Sequence, residues 1–198
     1  MSAIDDKREV KKALRRECFA AVRGLSDSEK AESSSRICNH LRESAVFSNT
    51  ATSIGIYIAV KSEPDLSDLI WNSHGKSFSL ARIGEDEMLH FHRISSEADL
   101  VIGEFGIAEP NPLTCPAITE SEIDVVLVPG VAFDPDSGAR LGRGKGHYDR
   151  FLEKLRSEED RKCPVIGVSF GIQHRSVNAE SHDQPMDGLV TESELIAI

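Results

Sequence analysis

Hydrophobic residues recur at helical spacing in several parts of the sequence. The first set predicts a helix that ends near Leu25, and it consists of Val10, Ala13, Leu14, Cys18, Ala21 and Val22. A capping-box pattern, Ser-Asp-Ser-Glu at residues 26–29, predicts a second helix that runs to about Val46. Residues 64–74 suit a third helix, and the apolar spacing of residues 148–155 indicates a fourth.

Short, β-branched apolar runs lie between these helices and predict buried strands. The expected strands cover residues 52–60, 77–83, 88–94, 124–128, 163–170 and 189–191. The second and third would form a hairpin around the polar residues 84–87, whereas residues 95–119 are rich in loop-forming residues. Strands that alternate with helices are typical of an α/β fold. We therefore expect residues 1–198 to form one three-layer, Rossmann-like domain, a mostly parallel sheet with helices on both faces.

Composition excludes several classes of function. The chain has 198 residues and a formal net charge of −10, which argues against general nucleic-acid binding. Its apolar runs all fall short of the roughly 20 residues that a membrane helix needs. The four cysteines form no CxxC pair, so reduced thiols in a cytoplasmic protein are the expectation. Acidic residues near the N-terminus argue against a mitochondrial presequence.

One segment, residues 134–150, contains the parts of a phosphate-binding site. It reads DPDSGARLGRGKGHYDR and lies between a predicted strand and a predicted helix. Glycines allow backbone N–H groups to approach an anion, and the helix N-terminus adds partial positive charge. Arg143 and Lys145 would add full charges. The spacing matches neither the P-loop nor the dinucleotide fingerprint, and a flexible basic surface loop is the alternative.

Other candidate residues are weaker on spacing alone. Lys11 and Arg15 lie one helical turn apart and could clamp phosphate oxygens, although spacing alone favours a solvated helix face over a phosphate clamp. Glu63 follows a predicted strand at its carboxyl end, where ligands bind in α/β folds. Asp183 and Asp187 are carboxylates that could bind a hard cation or simply be solvated.

Taken together, the sequence resembles the 5-formyltetrahydrofolate cyclo-ligases. Several separate motifs match in order along nearly the whole chain. They are residues 11–15 (KKALR), 54–66 with Glu63, 105–110 (FGIAEP), 128–134 (VPGVAFD) and 140–150 (RLGRGKGHYDR), followed by Gln173 and Asp187. One departure is His147, because the family usually has tyrosine there. Histidine can also stack and hydrogen-bond, but it can carry charge near neutral pH.

The resemblance implies roles by position. The residues implied for ATP are Lys11, Arg15, Arg140, Gly142, Arg143, Gly144, Lys145, Gly146, His147 and Tyr148. Those implied for the folate are Ile58, Glu63, Arg143, Gly144, Lys145, Gly146 and His147. Arg143 and Lys145 would serve catalysis, and Asp149 and Asp187 would bind Mg²⁺.

The reaction that the resemblance implies is the ATP- and Mg²⁺-dependent conversion of 5-formyltetrahydrofolate to 5,10-methenyltetrahydrofolate, ADP and phosphate. The expected partners are therefore small molecules, with neither nucleic acid nor membrane, and the chain is expected to act as a monomer. Two other functions are compatible with the same alternation of strands and helices. A sugar-phosphate isomerase would need no ATP, and a non-catalytic nucleotide sensor would bind ATP without turnover.

Overall fold

The structure is a computed structural model that describes residues 3–47, 51–103, 106–157, 163–180 and 183–198. Its α-helices are α1 (Ala3–Gly24), α2 (Asp27–Glu43), α3 (Ser67–Asn72) and α4 (His147–Arg156). The capping box at the start of α2 is confirmed: Ser26 Oγ accepts from Glu29 N at 3.2 Å, and Glu29 Oε2 accepts from Ser26 N at 2.7 Å. Helix α2 ends slightly earlier than predicted, because the extended backbone of Ser44 interrupts it.

Short strands make up the rest of the regular structure. In chain order they are β1 (Ser53–Ile56), β2 (Ser77–Ile83), β3 (Leu89–Ile94), β4 (Leu100–Ile102), β5 (Ala108–Pro110), β6 (Ala117–Ile118), β7 (Val125–Pro129), β8 (Ala132–Phe133), β9 (Arg140–Leu141), β10 (Val165–Val168), β11 (Gly188–Val190) and β12 (Leu195–Ala197). The main sheet has eight strands in the order β12-β11-β10-β7-β1-β2-β3-β6. The five strands from β11 to β2 run parallel, and the outer strands β12, β3 and β6 join the sheet through antiparallel pairings.

Helices cover both faces of this sheet. Successive residues of β7 point to opposite faces, so Leu127 packs in one core and Val128 in the other. The first core contains α2 and α3 through Ile37, Leu41 and Leu69, among others. The second contains α4 through Phe151, Leu152 and Leu155. The prediction of a mostly parallel sheet with helices on both faces is confirmed.

Several elements differ from their predicted bounds. Strand β1 ends at Ile56, and residues 60–63 form a turn in which Glu63 N donates to Val60 O at 2.8 Å. Helix α3 begins only at Ser67, whose N–H donates to Asp65 Oδ1 at 2.9 Å. The prediction that residues 95–119 are loop was incomplete, because β4 and β5 pair there and β6 extends the main sheet along β3.

Two features of the fold position the site. The parallel strands β7, β1 and β2 are neighbours, so their carboxyl ends meet at one edge of the sheet. Helix α1 lies near this edge because the fully buried Cys18 packs in a third apolar cluster with Val131 and Leu141. Among the helices of the described residues, none has the length and hydrophobicity to cross a membrane.

Candidate active site

The first half of the basic segment is a two-stranded ribbon, β8 paired with β9. Asp134 holds its turn by accepting backbone N–H groups from Asp136 at 3.0 Å and Ser137 at 3.3 Å. Buried Gln173 anchors the base of the ribbon, since its Nε2 lies 3.0 Å from both Gly130 O and Val131 O and donates to them. This part of the segment is therefore tied to the body of the protein.

The second half, residues 142–146, is the glycine loop. Gly144 (φ 96°) and Gly146 (φ 69°) have the left-handed backbone that side chains disfavour. Helix α4 begins immediately afterwards at His147, and no side chain of the described residues caps its first N–H groups. Free N–H groups at a helix N-terminus, next to a loop of glycines, form a favourable environment for phosphate.

Helix α1 faces this loop and encloses a polar cavity of about 780 Å³, here called the cationic cavity. Arg15 Nε donates to Gly142 O at 2.8 Å, which ties the helix to the loop. Lys11 Nζ lies 3.0 Å from Asp183 Oδ2 and 3.4 Å from Glu180 Oε1. The basic residues that line the cavity are Arg8, Lys11, Lys12, Arg15, Arg140, Lys145 and Arg150. Such a concentration in a chain of net charge −10 indicates an anionic ligand.

A second cavity of about 280 Å³, here called the apolar cavity, lies across the carboxyl ends of β7, β1 and β2. Its wall includes Pro129 of β7, Ala81 of β2, and Ile58, which lies two residues beyond the end of β1. Its charged side chains are mostly paired. Arg143 Nη2 donates to Glu63 Oε1 at 2.9 Å, and Arg82 Nε donates to Glu109 Oε2 at 3.2 Å. An apolar cavity with a few placed polar groups is the usual form of a small-molecule site.

The two cavities meet at the glycine loop and share one wall. The residues that line both are Arg140, Gly142, Lys145, Gly146 and Asp149. Within this wall, Arg140 Nη2 donates to Asp149 Oδ1 at 2.9 Å. An anion in the first cavity and an apolar molecule in the second would therefore both contact the glycine loop.

Comparison with known proteins identifies the family. The sequence profile of the 5-formyltetrahydrofolate cyclo-ligase family matches residues 7–192. This chain belongs to that family. It is 32% identical over 203 residues to the 5-formyltetrahydrofolate cyclo-ligase of Saccharomyces cerevisiae, with 91% of this chain and 94% of the yeast protein covered. It is 60% identical over 93 residues to that of Mycolicibacterium smegmatis, covering 46% and 45% of the two chains.

Solved structures of cyclo-ligase relatives have the same fold. The NMR structure of Aquifex aeolicus 5,10-methenyltetrahydrofolate synthetase matches with a TM-score of 0.82 and 29% identity, over 95% of this chain and 92% of that one. The synthetase from Mycoplasma pneumoniae matches with a TM-score of 0.69 over 92% and 98%, and its 24% identity supports the fold alone. The cyclo-ligase family assignment makes this chain an enzyme of the ligase class.

Two tyrosines line this cyclo-ligase's apolar cavity, the buried Tyr57 and the partly buried Tyr148. Burial raises the pKa of Tyr148, and the nearby Glu63 charge adds to the shift while Arg140 opposes it. Burial and then Glu63 likewise raise the pKa of Tyr57, whose hydroxyl donates to Pro64 O at 2.9 Å. Both side chains are therefore neutral hydrogen-bond donors at physiological pH.

The structure brings most of the cyclo-ligase site residues predicted from sequence to these two cavities. Lys11 and Arg15 line the cationic cavity; Ile58, Glu63, Arg143, His147 and Tyr148 line the apolar one. Gly144 lines the cationic cavity only. His147 Nδ1 lies 3.0 Å from Glu87 O and 3.0 Å from Arg150 Nη2, so it donates to the first or accepts from the second. Phe105 of the FGIAEP motif lies outside the described residues.

Asp187 does not join the other predicted residues. Its Oδ2 accepts from Val165 N at 2.8 Å and its Oδ1 pairs with Arg156 at 3.3 Å, and it is absent from the described linings of both cavities. Asp183, four residues earlier, lines the cationic cavity instead. Sequence reasoning also missed Arg82 and Glu109, which are 27 residues apart and meet only because β5 packs beside β2.

Proposed function

We propose that this enzyme converts 5-formyltetrahydrofolate to 5,10-methenyltetrahydrofolate, with ATP and Mg²⁺, and releases ADP and phosphate. The observation that carries the proposal is the wall shared by the cationic and apolar cavities. A phosphoryl group that passes from ATP to the folate must cross such a boundary. Family membership and the synthetase-like fold support the same reaction.

In this proposal the triphosphate occupies the cationic cavity. Lys11 and Arg15 from α1 and Lys145 from the loop would contact phosphate oxygens, together with the loop's N–H groups and the N-terminus of α4. Burial lowers the pKa of Arg15, with Asp183 opposing the shift, but a guanidinium stays charged in proteins. Lys11 would exchange its present carboxylate partners for phosphate.

The folate head occupies the apolar cavity. Ile58 offers an apolar surface, and the Glu63 carboxylate, 9% exposed, holds Arg143 at the cavity wall. Ser62 Oγ accepts a second hydrogen bond from Arg143 Nη2 at 2.9 Å. An arginine fixed in this way is pre-oriented toward an anionic intermediate and loses little side-chain entropy when it binds.

The chemistry follows from the poor leaving ability of an amide-like oxygen. The formyl oxygen attacks the γ-phosphorus, and the bond from that phosphorus to the bridging oxygen of ADP breaks. The N10 nitrogen of the folate then attacks the formyl carbon and loses its proton to solvent, and the carbon–oxygen bond breaks to release phosphate. Lys145 lines both cavities and Arg143 faces the folate, so these cations would neutralise charge on the moving phosphoryl group.

The cationic cavity also has residues that fit Mg²⁺. Asp149 Oδ1 accepts from Arg140, but Oδ2 accepts no hydrogen bond from the described residues, and Asp183 lines the same cavity. The described residues contain no group of three or more metal-binding side chains. Such a sparse set suits Mg²⁺, which is usually held by one or two carboxylates with phosphate and water. When bound, the ion would neutralise phosphate charge; Asp149 and Asp183 are the residues that we propose would hold it.

The test is an absorbance assay for methenyltetrahydrofolate, with and without ATP and Mg²⁺. We expect Lys145→Ala to abolish ATP-dependent turnover. Lys154→Ala is the control and should retain turnover, because Lys154 is 65% exposed and pairs with Glu120 on the outer side of α4. Near-normal turnover in Lys145→Ala would refute the site assignment. An isomerase would release no ADP, and a sensor would bind ATP in calorimetry without folate-dependent turnover.

A further inference from the structure

The Arg82–Glu109 pair is the second ion pair of the apolar cavity, and the proposed reaction gives it no role. Arg82 Nε donates to Glu109 Oε2 at 3.2 Å, and the two side chains are 28% and 24% exposed. The carboxylate lies directly over Gly103. A Cβ atom at that glycine would come within 2.4 Å of Glu109 Cδ. The Glu109 carboxylate is therefore fixed from two sides and partly withdrawn from water.

The pair lines the apolar cavity together with the glycine loop. In the sheet, β1 lies between β7 and β2. The glycine loop follows β7 through the β8–β9 ribbon, whereas Arg82 lies near the carboxyl end of β2 and Glu109 lies on β5 beside it. A molecule that lies across the ends of these strands can thus contact both the glycine loop and Glu109.

Glu63 and Glu109 differ in the hydrogen bonds still open to them. Glu63 Oε1 accepts from Arg143 Nε and Nη2, and its Oε2 accepts from Val60 N at 3.2 Å. Glu109 Oε2 accepts from Arg82, but Oε1 accepts no hydrogen bond from the described residues. A carboxylate can accept about four hydrogen bonds. Glu109 therefore keeps more open acceptor positions than Glu63, and it is also the more exposed of the two, at 24% against 9%.

We infer that Glu109, held by Arg82, binds the pyrimidine edge of the folate's pterin ring. This inference rests on the proposed function. The 2-amino-4-oxo edge of a pterin presents two adjacent N–H donors, and a carboxylate is an acceptor-only group whose two oxygens match such a pair. The formyl-bearing N5 belongs to the other ring. A pterin anchored at Glu109 by its pyrimidine edge therefore leaves its reacting ring to the rest of the cavity, whose lining includes Lys145 and Gly146.

The size of the cavity agrees with a pterin as its occupant. Its volume of about 280 Å³ is just below the roughly 300–1,000 Å³ found for small-molecule sites. It suits the bicyclic head of a folate better than the whole molecule, so the glutamate tail would extend outside. Glu109 is then a specificity-determining residue for the head group, and Glu63 is a positioning residue for Arg143.

The first test compares Glu109→Gln with Glu122→Gln. Glu122→Gln is the matched control because it also removes a carboxylate paired with an arginine: Glu122 Oε1 lies 3.4 Å from Arg93 Nη2. Neither residue belongs to the described lining of the apolar cavity. We expect Glu109→Gln to raise KM for 5-formyltetrahydrofolate about 10- to 100-fold, the effect of a lost charge-assisted hydrogen bond, with KM for ATP unchanged. The control should leave both constants unchanged. An unchanged folate KM in Glu109→Gln would overturn the inference.

The decisive test changes the ligand as well as the protein. Calorimetry would compare 5-formyltetrahydrofolate with an analogue in which methyl replaces the 2-amino group, on wild type, Glu109→Gln and Glu109→Ala. We expect wild type to bind the natural folate about 10- to 100-fold more tightly and the variants to lose most of that preference. A purely structural role for Glu109 would leave the preference intact and overturn the inference. Binding without turnover in wild type would refute the proposed reaction, not this assignment.

Discussion

Arg140 and Asp149 form a hydrogen-bonded ion pair across the glycine loop, at 2.9 Å between Nη2 and Oδ1. The two side chains are 4% and 19% exposed. Arg140 belongs to β9 and Asp149 to the first turn of α4, so the pair closes the loop at its base. Arg140 Nη1 also donates to Pro129 O at 3.4 Å, which links the pair to the end of β7.

Breaking this pair should destabilise the fold. Asp149→Ala leaves the buried guanidinium without its partner, which typically costs about 3–5 kcal/mol. Urea denaturation should show that the free energy of unfolding falls by this amount in Asp149→Ala. The double variant Arg140→Met/Asp149→Ala should recover part of the lost free energy. The surface pair of Arg42 with Asp68, 29% and 52% exposed, is the control; Arg42→Met should cost less than about 1 kcal/mol. If Asp149→Ala lowered the free energy of unfolding no more than Arg42→Met does, the prediction would be contradicted.

The left-handed backbone of Gly144 should be required for the shape of the loop. Gly144→Ala places a Cβ at ordinary contact distance, 3.5 Å from Arg15 Nη2, so the penalty is conformational, about 1–2 kcal/mol. We expect weaker ATP binding in calorimetry, because the loop's N–H groups would shift to relieve the strain. Gly24→Ala is the control. Gly24 is the last residue of α1, and no described atom lies within 4 Å of the position that a Cβ would take there. This substitution should stabilise the protein by up to about 1 kcal/mol. Equal ATP affinity in Gly144→Ala and wild type would rule this requirement out.

Asp134 should make the protein less stable in acid. Burial raises its pKa, but N–H donors from Val177, Asp136 and Ser137 together bring the pKa below the usual aspartate value of 3.8. A carboxyl whose pKa is lower in the folded state stabilises that state above the unfolded pKa, and this contribution is lost as pH falls through the folded pKa. The free energy of unfolding should therefore decline below about pH 4 more steeply in wild type than in Asp134→Asn. Parallel curves for the two proteins would disprove this role.

Local patterns predicted the main elements well. The capping box at Ser26 fixed the start of α2, and the apolar runs located β1, β2, β3, β7 and β10. Strands β4, β5 and β6 were missed because two or three residues are too few to show an alternating pattern. They form through pairing with partners that are distant in sequence, such as β6 with β3.

The site was predictable where one segment carries its chemistry. The glycine loop is contiguous in sequence, and Lys11 and Arg15 lie within one motif. The choice between Asp183 and Asp187 was different, because both lie in a loop without periodicity, and only tertiary structure turns Asp183 toward the cationic cavity. Glu109 lies in the FGIAEP motif, but neither it nor Arg82 was predicted as a site residue, because their contact depends on β5 lying beside β2.

The wall common to the two cavities has a practical consequence for inhibitor chemistry. Under the proposed function, a single compound that joined a folate head to an adenosine phosphate would run its linker past Lys145 and Gly146. Such a bisubstrate molecule would save the entropy of bringing two ligands together. Its inhibition would be competitive against ATP and against the folate at once, a kinetic pattern that two separate, unconnected sites could not produce.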